Sequence, residues 1–199
     1  MEIVKDYNDV RALHKRIREL ENKLLLERET NELLRDLVNR DFLTGAPNRR
    51  ALEEFVERTG KKGTAILLLD IDNFKHVNDT YGHEVGDEVL KAATQFLRTK
   101  IRGRDILSMI SRWGGEEFLL ALPEATSRQI FNRFYNAKRG EAELSFVYAE
   151  GENQLFISFS GGITDLGDDP DTLQAGVARA DCALYIAKES GRNRIVLAA

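Results

Sequence analysis

The stretch TAILLLDID, residues 64–72, predicts the central strand of the fold. Its apolar residues run without a break from Ala65 to Leu69, and a continuous rather than alternating run is typical of a strand buried on both faces. Asp70 and Asp72 follow at a spacing of two, so their side chains lie on the same face. A buried strand that ends in acids just before a helix start favours metal and phosphate binding, although the aspartates could simply cap that helix.

A second acidic pair lies in SRWGGEEFLLALP, residues 111–123, where two glycines precede Glu116 and Glu117. The glycines permit the positive φ angles of a tight hairpin and let a ligand approach the backbone. Adjacent residues point to opposite sides, so only one glutamate easily faces a given metal. If the hairpin pairs beside residues 64–72, one glutamate meets Asp70, and the acids resemble a two-metal phosphoryl-transfer site. Two solvated turn glutamates are the alternative.

Helical and strand patterns alternate on both sides of these stretches. In chain order we predict a helix over 49–58 with Asn48 as its N-cap, the strand over 64–72, a helix over about 73–100 broken near residue 82, a hairpin of 106–113 and 117–122, a helix over 127–137, strands at 144–150 and 154–164, a helix over 172–191 and a last strand at 193–198. This order predicts an α+β domain with one main antiparallel or mixed sheet.

The composition limits the classes of function to be considered. The 199 residues leave room for one ordinary domain and an extension, and the net charge of -4 gives no support for a nucleic-acid-binding surface. Cys182 stands alone, so no intramolecular disulfide can form and a reducing compartment is the default. His14, His76 and His83 are too scattered to predict a zinc site. No apolar run is long enough to span a bilayer and no secretory leader opens the chain, so we expect a soluble cytoplasmic protein.

Residues 1–40 contain no Gly or Pro and form a separate region. Their apolar residues alternate spacings of three and four, which predicts a coiled-coil seam. The seam consists of Val10, Leu13, Ile17, Leu20 and Leu24, weakens at Glu27 and Asn31, and resumes at Leu34 and Val38. We expect a parallel homodimer through this helix, the alternative being an amphipathic helix packed on its own domain. Leu26, Leu33 and Leu37 form a second, offset stripe that could permit a register shift.

GGEEF at 114–118 resembles the signature of the GGDEF family of diguanylate cyclases in its glutamate form. Three further blocks resemble the family's motifs and occur in the family's order: DFLTGAPNRR at 41–50, DIDNFKHVNDTYGHEVGD at 70–87 and ADCALYIAKESGRNR at 180–194. The resemblance covers nearly all of residues 41–199, which would be the catalytic domain. Residues 1–40 lie outside it and would be a coiled-coil dimerisation and signalling helix.

The resemblance implies a fold and a reaction. The fold is a ferredoxin-like palm, related to adenylyl cyclase and polymerase catalytic domains. The reaction condenses two GTP molecules into cyclic di-GMP with loss of two pyrophosphates, each 3′-hydroxyl attacking the α-phosphate of the other nucleotide. Because one active site holds one GTP, the family acts as a homodimer, and helices such as residues 1–40 commonly join the cyclase to an upstream sensor.

The resemblance also implies the metal and the catalytic residues. Asp70 and the carbonyl of Ile71 would bind Mg²⁺ or Mn²⁺ together with Glu116. Glu116 is also the family's proposed base for the 3′-hydroxyl, which is chemically sensible because a metal lowers the pKa of a nearby hydroxyl. Glu117 occupies the adjacent position of the signature, with a less defined catalytic role.

Asn78 and Asp87 match the family's residues that read the edge of guanine. An amide offers both a donor and an acceptor, and a carboxylate accepts from N1–H and the N2 amino group, so the pair suits guanine and misfits adenine. Gly114 and Gly115 of the signature would let the nucleotide approach the backbone.

A third set of residues matches the family's phosphate contacts. The Lys75 side chain and the N–H groups of Asn73, Phe74 and Lys75 would hold the β- and γ-phosphates, and Lys75 is thereby counted with the catalytic groups. Lys188 and Arg192 are four residues apart, hence on one helix face, and match the family's phosphate-binding pair. Ordinary cations at a helix C-terminus are the alternative for these two.

Members of the family with product feedback usually carry an Arg-x-x-Asp motif just upstream of the signature. The aligned positions here are Asp105 and Ser108, so we expect no inhibition through that site. The main functional alternative is a non-catalytic module that binds GTP or cyclic di-GMP, but relatives of that kind lose the acids that this chain keeps. A cyclase of another purine and a purely structural coiled-coil protein are weaker alternatives.

Overall fold

The computed structural model describes residues 2–60, 62–101, 108–136, 141–142, 144–151, 153–167 and 172–198. The chain divides into two compact units, residues 1–39 and 40–199. The first unit is one helix, α1 (Glu2–Asn39). Among the described residues, no helix combines the length and the apolar character needed to cross a bilayer.

The second unit alternates helices and strands in the predicted order. Its elements are α2 (Arg49–Thr59), β1 (Thr64–Ile71), α3 (Phe74–Tyr81), α4 (His83–Ile101), β2 (Met109–Gly114), β3 (Glu117–Pro123), α5 (Ser127–Phe134), β4 (Tyr135–Asn136), β5 (Glu141–Ala142), β6 (Ser145–Glu150), β7 (Asn153–Asp165), α6 (Leu173–Glu189) and β8 (Ile195–Leu197). Helix α5 ends three residues earlier than predicted, because residues 135–136 pair with residues 141–142 in a short ribbon. Residues 106–107 of the predicted hairpin lie outside the described residues.

One sheet organises this unit, and β1 lies inside it. The strand order is β2-β3-β1-β7-β6, with β8 also paired to β7. All pairs are antiparallel except β7 with β8. Every residue of β1 is buried, as its continuous apolar run predicts. The α+β fold with a mainly antiparallel sheet is therefore confirmed.

Alternate residues of β1 pack against different helices. Leu67 and Leu69 belong to a core formed with α3, α4 and α5, whereas Ile66 and Leu68 belong to a core formed with α2 and α6. Helix α6 lies very close to the sheet at Gly162, where a Cβ would come within 1.8 Å of the Ala180 carbonyl oxygen. Only glycine allows this approach, which holds α6 against β7.

An ion pair connects the start of the second unit to the hairpin. The Asp41 carboxylate accepts hydrogen bonds from Nη1 of Arg112 at 3.0 and 3.2 Å and from the backbone and hydroxyl of Thr44 at 2.9 and 2.7 Å. Arg112 in turn donates from its side-chain Nε to the Gly115 carbonyl at 2.8 Å and from its backbone N–H to the Pro47 carbonyl at 2.9 Å. The pair thereby ties residues 41–47 to the glycine turn.

The ion pair predicts a pH-dependent contribution to stability. Burial acts to raise the pKa of Asp41, but the hydrogen bonds from Thr44 and the charge of Arg112 outweigh it and lower that pKa below 3.8. The folded state therefore gains stability from Asp41 above the ordinary aspartate pKa and loses it as the pH falls through the lowered value. We expect Asp41→Asn to reduce the free energy of unfolding by about 1–3 kcal/mol at pH 7 and by less at pH ~3.

Chemical denaturation of both proteins across this pH range measures the difference. Glu53→Gln is a suitable control, because it removes an exposed i,i+4 pair with Arg49 that should contribute no more than about 0.5 kcal/mol. A destabilisation by Asp41→Asn that stays constant down to pH ~3 would contradict the role of the carboxylate charge.

Candidate active site

The end of β1 and the glycine turn meet at one edge of the sheet. Strand β3 pairs with β1 so that Asp70 lies opposite Glu117, and the Ile71 N–H donates to the Glu116 carbonyl at 3.4 Å. Gly115 has a φ of +47°, which a residue with a Cβ rarely adopts. The predicted pairing of the hairpin beside residues 64–72 is therefore confirmed.

The two glutamates of the turn face different spaces. Glu116 lines a cleft of about 350 Å³ whose walls come from α3, α4 and the turn. Glu117 lines a separate depression of about 330 Å³ beside α6, with Trp113 and Asp181. The two adjacent glutamates therefore point to opposite sides, as expected. Glu116 is the one that shares a cleft with the predicted guanine-reading residues.

Negative charge is concentrated at the end of β1. Asp70 is only 6% exposed, and Nζ of Lys188 lies 2.9 Å from its carboxylate. Burial raises the pKa of Asp70, the charges of Glu116 and Asp72 add to the increase, and Lys188 opposes it. Burial and the charge of Asp70 likewise raise the pKa of Glu117. Such mutual repulsion between carboxylates is relieved by binding a cation.

The oxygen donors at this edge suit a Mg²⁺ ion whose coordination is completed by phosphate and water. They do not form a site in which protein side chains supply all the ligands. Within the described part of the chain, no group of three or more His, Cys, Asp or Glu side chains is arranged to hold a metal ion. Mg²⁺ is usually bound by only one or two carboxylates, with substrate phosphates and water supplying the other oxygens. The Asp70 and Glu116 carboxylates and the Ile71 carbonyl, all at the same edge, fit that pattern.

The predicted guanine-reading residues come together where α3 meets α4. Asn78 and Asp87 line the same cleft as Glu116. Gly82 joins the two helices with a φ of +88°. The Asn78 amide lies directly over Gly86, where a Cβ would come within 1.9 Å of its Oδ1 atom. Gly86 therefore creates the space that the Asn78 side chain occupies, a contact that the sequence analysis missed.

The start of α3 presents the predicted phosphate contacts. Phe74 and Lys75 line the cleft, and the N–H groups of His76 and Val77 donate to the Asn73 carbonyl. The N–H groups of residues 73–75 therefore precede the first intrahelical bonds and are available to a ligand. Asn73 itself has a φ of +56° and makes no side-chain cap.

Seven predicted site residues lie outside the lining of this cleft. They are Asp70, Ile71, Asn73, Gly114, Glu117, Lys188 and Arg192. Lys188 pairs with Asp70 instead, and Arg192 lies in the turn after α6, with a φ of +64°. The structure thus places Glu116 in one cleft with the predicted guanine-reading residues, whereas Asp70 pairs with Lys188 at the buried end of β1, outside the lining of that cleft.

Asp72 and Arg112 have roles that the sequence analysis did not predict. The Asp72 carboxylate accepts hydrogen bonds from Ser158 and Ser160, so it does not cap α3 as the alternative required. Arg112 lines the cleft and holds the Gly115 carbonyl. The arginine immediately precedes the signature, but its partner Asp41 is 71 residues away, so only the spatial pairing identifies its role.

The expected absence of a feedback motif concerns residues that the structure describes only in part. Asp105 lies outside the described residues, and Ser108 is half-buried just before β2. The sequence also contains Arg102 and Asp105 in an Arg-x-x-Asp spacing, three residues before the aligned positions. An Arg-x-x-Asp sequence is therefore present upstream of the signature, displaced by three residues from the family's position.

The family described as "Diguanylate cyclase, GGDEF domain" matches residues 38–194. The chain is 38% identical to "Diguanylate cyclase DgcP" of Pseudomonas aeruginosa over 95% of its own length and 28% of that protein. It is 35% identical to "Response regulator PleD" of Caulobacter vibrioides over 81% of its length and 36% of that protein. The chain thus spans about a third of the length of these curated relatives.

Two solved structures resemble the whole chain. One is the diguanylate cyclase SiaD of Pseudomonas aeruginosa in complex with its activator SiaC, at a TM-score of 0.75 and 33% identity, covering 98% of this chain and 75% of that one. The other is the coiled coil and GGDEF domain of DgcB from Caulobacter crescentus in complex with c-di-GMP, at a TM-score of 0.75 and 26% identity, covering 94% of this chain and 99% of that one. The family match over residues 38–194 and the likeness of the folds show that the chain belongs to the GGDEF-domain family of diguanylate cyclases.

Proposed function

We propose that this chain is the catalytic part of a diguanylate cyclase that condenses two GTP molecules into cyclic di-GMP and two pyrophosphates. The observation that carries the proposal is the position of Glu116. Its side chain shares a cleft with Asn78 and Asp87, while its backbone is bonded to Ile71, next to Asp70. Glu116 therefore lies between the two residues that match the family's guanine contacts and the end of β1 that bears Asp70, which supports a nucleotide site at this place.

The chain's own groups account for binding and orientation of the nucleotide. The Asn78 amide and the Asp87 carboxylate would hydrogen-bond the edge of guanine, which adenine cannot match. The N–H groups at the start of α3 and the Lys75 ammonium would hold the β- and γ-phosphates. Lys188 and Arg192 would add positive charge at the phosphate end.

Glu116 would take the proton from the 3′-hydroxyl. The 3′-oxygen then bonds to the α-phosphorus of the other GTP, and the bond from that phosphorus to the oxygen bridging the β-phosphate breaks, which releases pyrophosphate. A divalent cation held by Asp70, Glu116 and the Ile71 carbonyl would supply Lewis acidity at this place. Two such bonds close the cyclic product.

A homodimer completes the proposal, because one cleft accommodates one GTP and the product needs two facing each other across a two-fold axis. The described side chains of the predicted seam on α1 are exposed in the single chain, including Leu13, Ile17, Leu20 and Leu24. Pairing of two α1 helices would bury them and raise the effective concentration of one catalytic domain near the other. An upstream sensor would act on this helix, and a cyclase that uses the GTP pool would work in the cytoplasm.

The central test is synthesis of product. With GTP and Mg²⁺ we expect cyclic di-GMP and pyrophosphate, and we expect Asp70→Asn and Glu116→Gln each to lower turnover by about 10²–10⁴-fold. Chromatography of the nucleotides measures both. Glu88→Gln is the matched control, since this α4 carboxylate pairs with Lys91 and is not among the residues that line the cleft.

Each outcome distinguishes between the alternatives. Binding of GTP by the intact protein without any product would favour the non-catalytic signalling module. Product formation with full activity in either acidic variant would overturn the role given to that residue while leaving the reaction in place.

Gly86→Ala tests the guanine-reading role of Asn78 without removing its side chain. The new methyl group would displace the Asn78 amide, so we expect the half-saturating GTP concentration to rise about tenfold. The stability of α4 should not fall, because Ala is the better helix former by about 1 kcal/mol. Steady-state kinetics and thermal unfolding measure the two effects.

An Asn78→Ala background provides the control for this substitution. Once Asn78 is truncated, Gly86→Ala has no amide to displace and should change GTP use little further. An equally large effect of Gly86→Ala in both backgrounds would contradict the proposed link to Asn78.

Ile17→Asp tests the dimer. A carboxylate buried in the seam should raise the dissociation constant of the dimer at least about tenfold, and activity per chain should fall at low protein concentration. Sedimentation and activity across a dilution series measure this. Asn22→Asp makes the same charge change on an exposed position away from the seam and should leave both unchanged. Unaltered assembly of Ile17→Asp would exclude dimerisation through this seam.

A further inference from the structure

The buried Asp72 carboxylate connects three segments of the chain through hydrogen bonds. It is 8% exposed, and it accepts hydrogen bonds of 2.6 Å from the hydroxyls of both Ser158 and Ser160 on β7. It also accepts a bond of 3.0 Å from the N–H of Asn193, in the turn between α6 and β8. Short bonds of this kind to a charged acceptor are among the strongest in proteins.

The turn that Asp72 holds has an unfavourable backbone conformation. Gly191, Arg192 and Asn193 all have positive φ angles, of +109°, +64° and +47°. Such angles cost free energy for residues with a Cβ, so the surrounding structure must impose them. On the helix side the Arg192 N–H donates to the Ala187 carbonyl, and on the strand side the Gly161 N–H donates to the Arg194 carbonyl.

We propose that Asp72 is a positioning residue that fixes the turn bearing Arg192 against the end of β1, and so sets where Arg192 meets the nucleotide. This inference rests on the proposed function, in which Arg192 contacts the phosphates of GTP. Asp72 follows Asp70 by two residues, so one short segment supplies both the acid of the metal edge and the acceptor that anchors the turn. Its own carboxylate touches neither metal nor substrate.

The alternative role, in which the charge of Asp72 acts directly as a metal ligand, differs in its consequence for asparagine. An amide at position 72 can accept from the Asn193 N–H and Ser158 through Oδ1 and donate to the Ser160 hydroxyl through Nδ2, because a hydroxyl can either donate or accept. Asp72→Asn therefore preserves the anchor and removes the charge, whereas Asp72→Ala removes both.

Kinetics of the full chain with GTP and Mg²⁺ separate the two roles. For Asp72→Ala we expect the half-saturating GTP concentration to rise about tenfold while turnover at saturation stays within about threefold. Asp72→Asn should stay within about threefold of the intact protein on both measures. In an Arg192→Ala background, Asp72→Ala should add little, because the residue whose position it controls is already gone. Turnover lost equally in Asp72→Asn and Asp72→Ala would overturn the proposal in favour of a direct charge role.

Asp165→Ala is the matched control. Its carboxylate also accepts a hydroxyl and a backbone N–H, both from Ser127, but at the opposite end of β7. It should lower stability without changing the use of GTP. If Asp72→Ala does not fold, the variant that combines it with Ser158→Ala and Ser160→Ala removes the donors together with the acceptor and serves in its place.

Amide hydrogen exchange by NMR tests the anchor without any turnover. The Asn193 N–H should exchange at least about tenfold faster in Asp72→Ala than in the intact protein, and Asp72→Asn should retain most of the protection. Unchanged exchange in Asp72→Ala overturns the anchoring role. An active protein whose GTP use is indifferent to Arg192→Ala overturns the inference while leaving the proposed function standing, whereas failure of the intact protein to make product rejects the proposed function itself.

Discussion

The register between β1 and β3 is the constraint on which the site depends. Asp70 lies opposite Glu117 only because seven successive pairs align the two strands, and the five inner pairs are buried and apolar. Side chains alternate along a strand, so a shift by one residue would exchange the two faces and carry Glu117 to the other side of the sheet. Burial of Leu68 and Leu119 in the same core makes such a shift costly. The hydrophobic pattern thus determines which acids meet.

Periodicity and turn chemistry were enough to predict most of this fold. The continuous apolar run identified β1 as an interior strand, and the glycine pair identified the hairpin whose turn contains Glu116. The end of α5 was mispredicted because pairing of residues 135–136 with residues 141–142 stops the helix. A helical pattern carries no information about such a competing pairing.

The parts of the site that escaped prediction depend on residues far apart in the chain. Asp41 forms an ion pair with Arg112, which is 71 residues away in the sequence, and Asp72 accepts a hydrogen bond from Ser158, which is 86 residues away. Acids, serines and arginines occur throughout the sequence, and nothing in their local surroundings specifies which partner each will find. The motif supplied the residues proposed to contact the nucleotide, whereas the residues that hold them in place could be identified only from the fold.

The contact at Gly162 has a consequence for which parts of the second unit can move when a nucleotide binds. With α6 backbone atoms directly against β7, no side chain intervenes that could change rotamer and let the helix slide. The helix that bears Lys188 is therefore fixed against the sheet, and its distance from Asp70 is a property of the packed backbone. Adjustment to an incoming nucleotide would fall instead to the walls of the cleft, where α3 and α4 are joined through the single glycine at position 82.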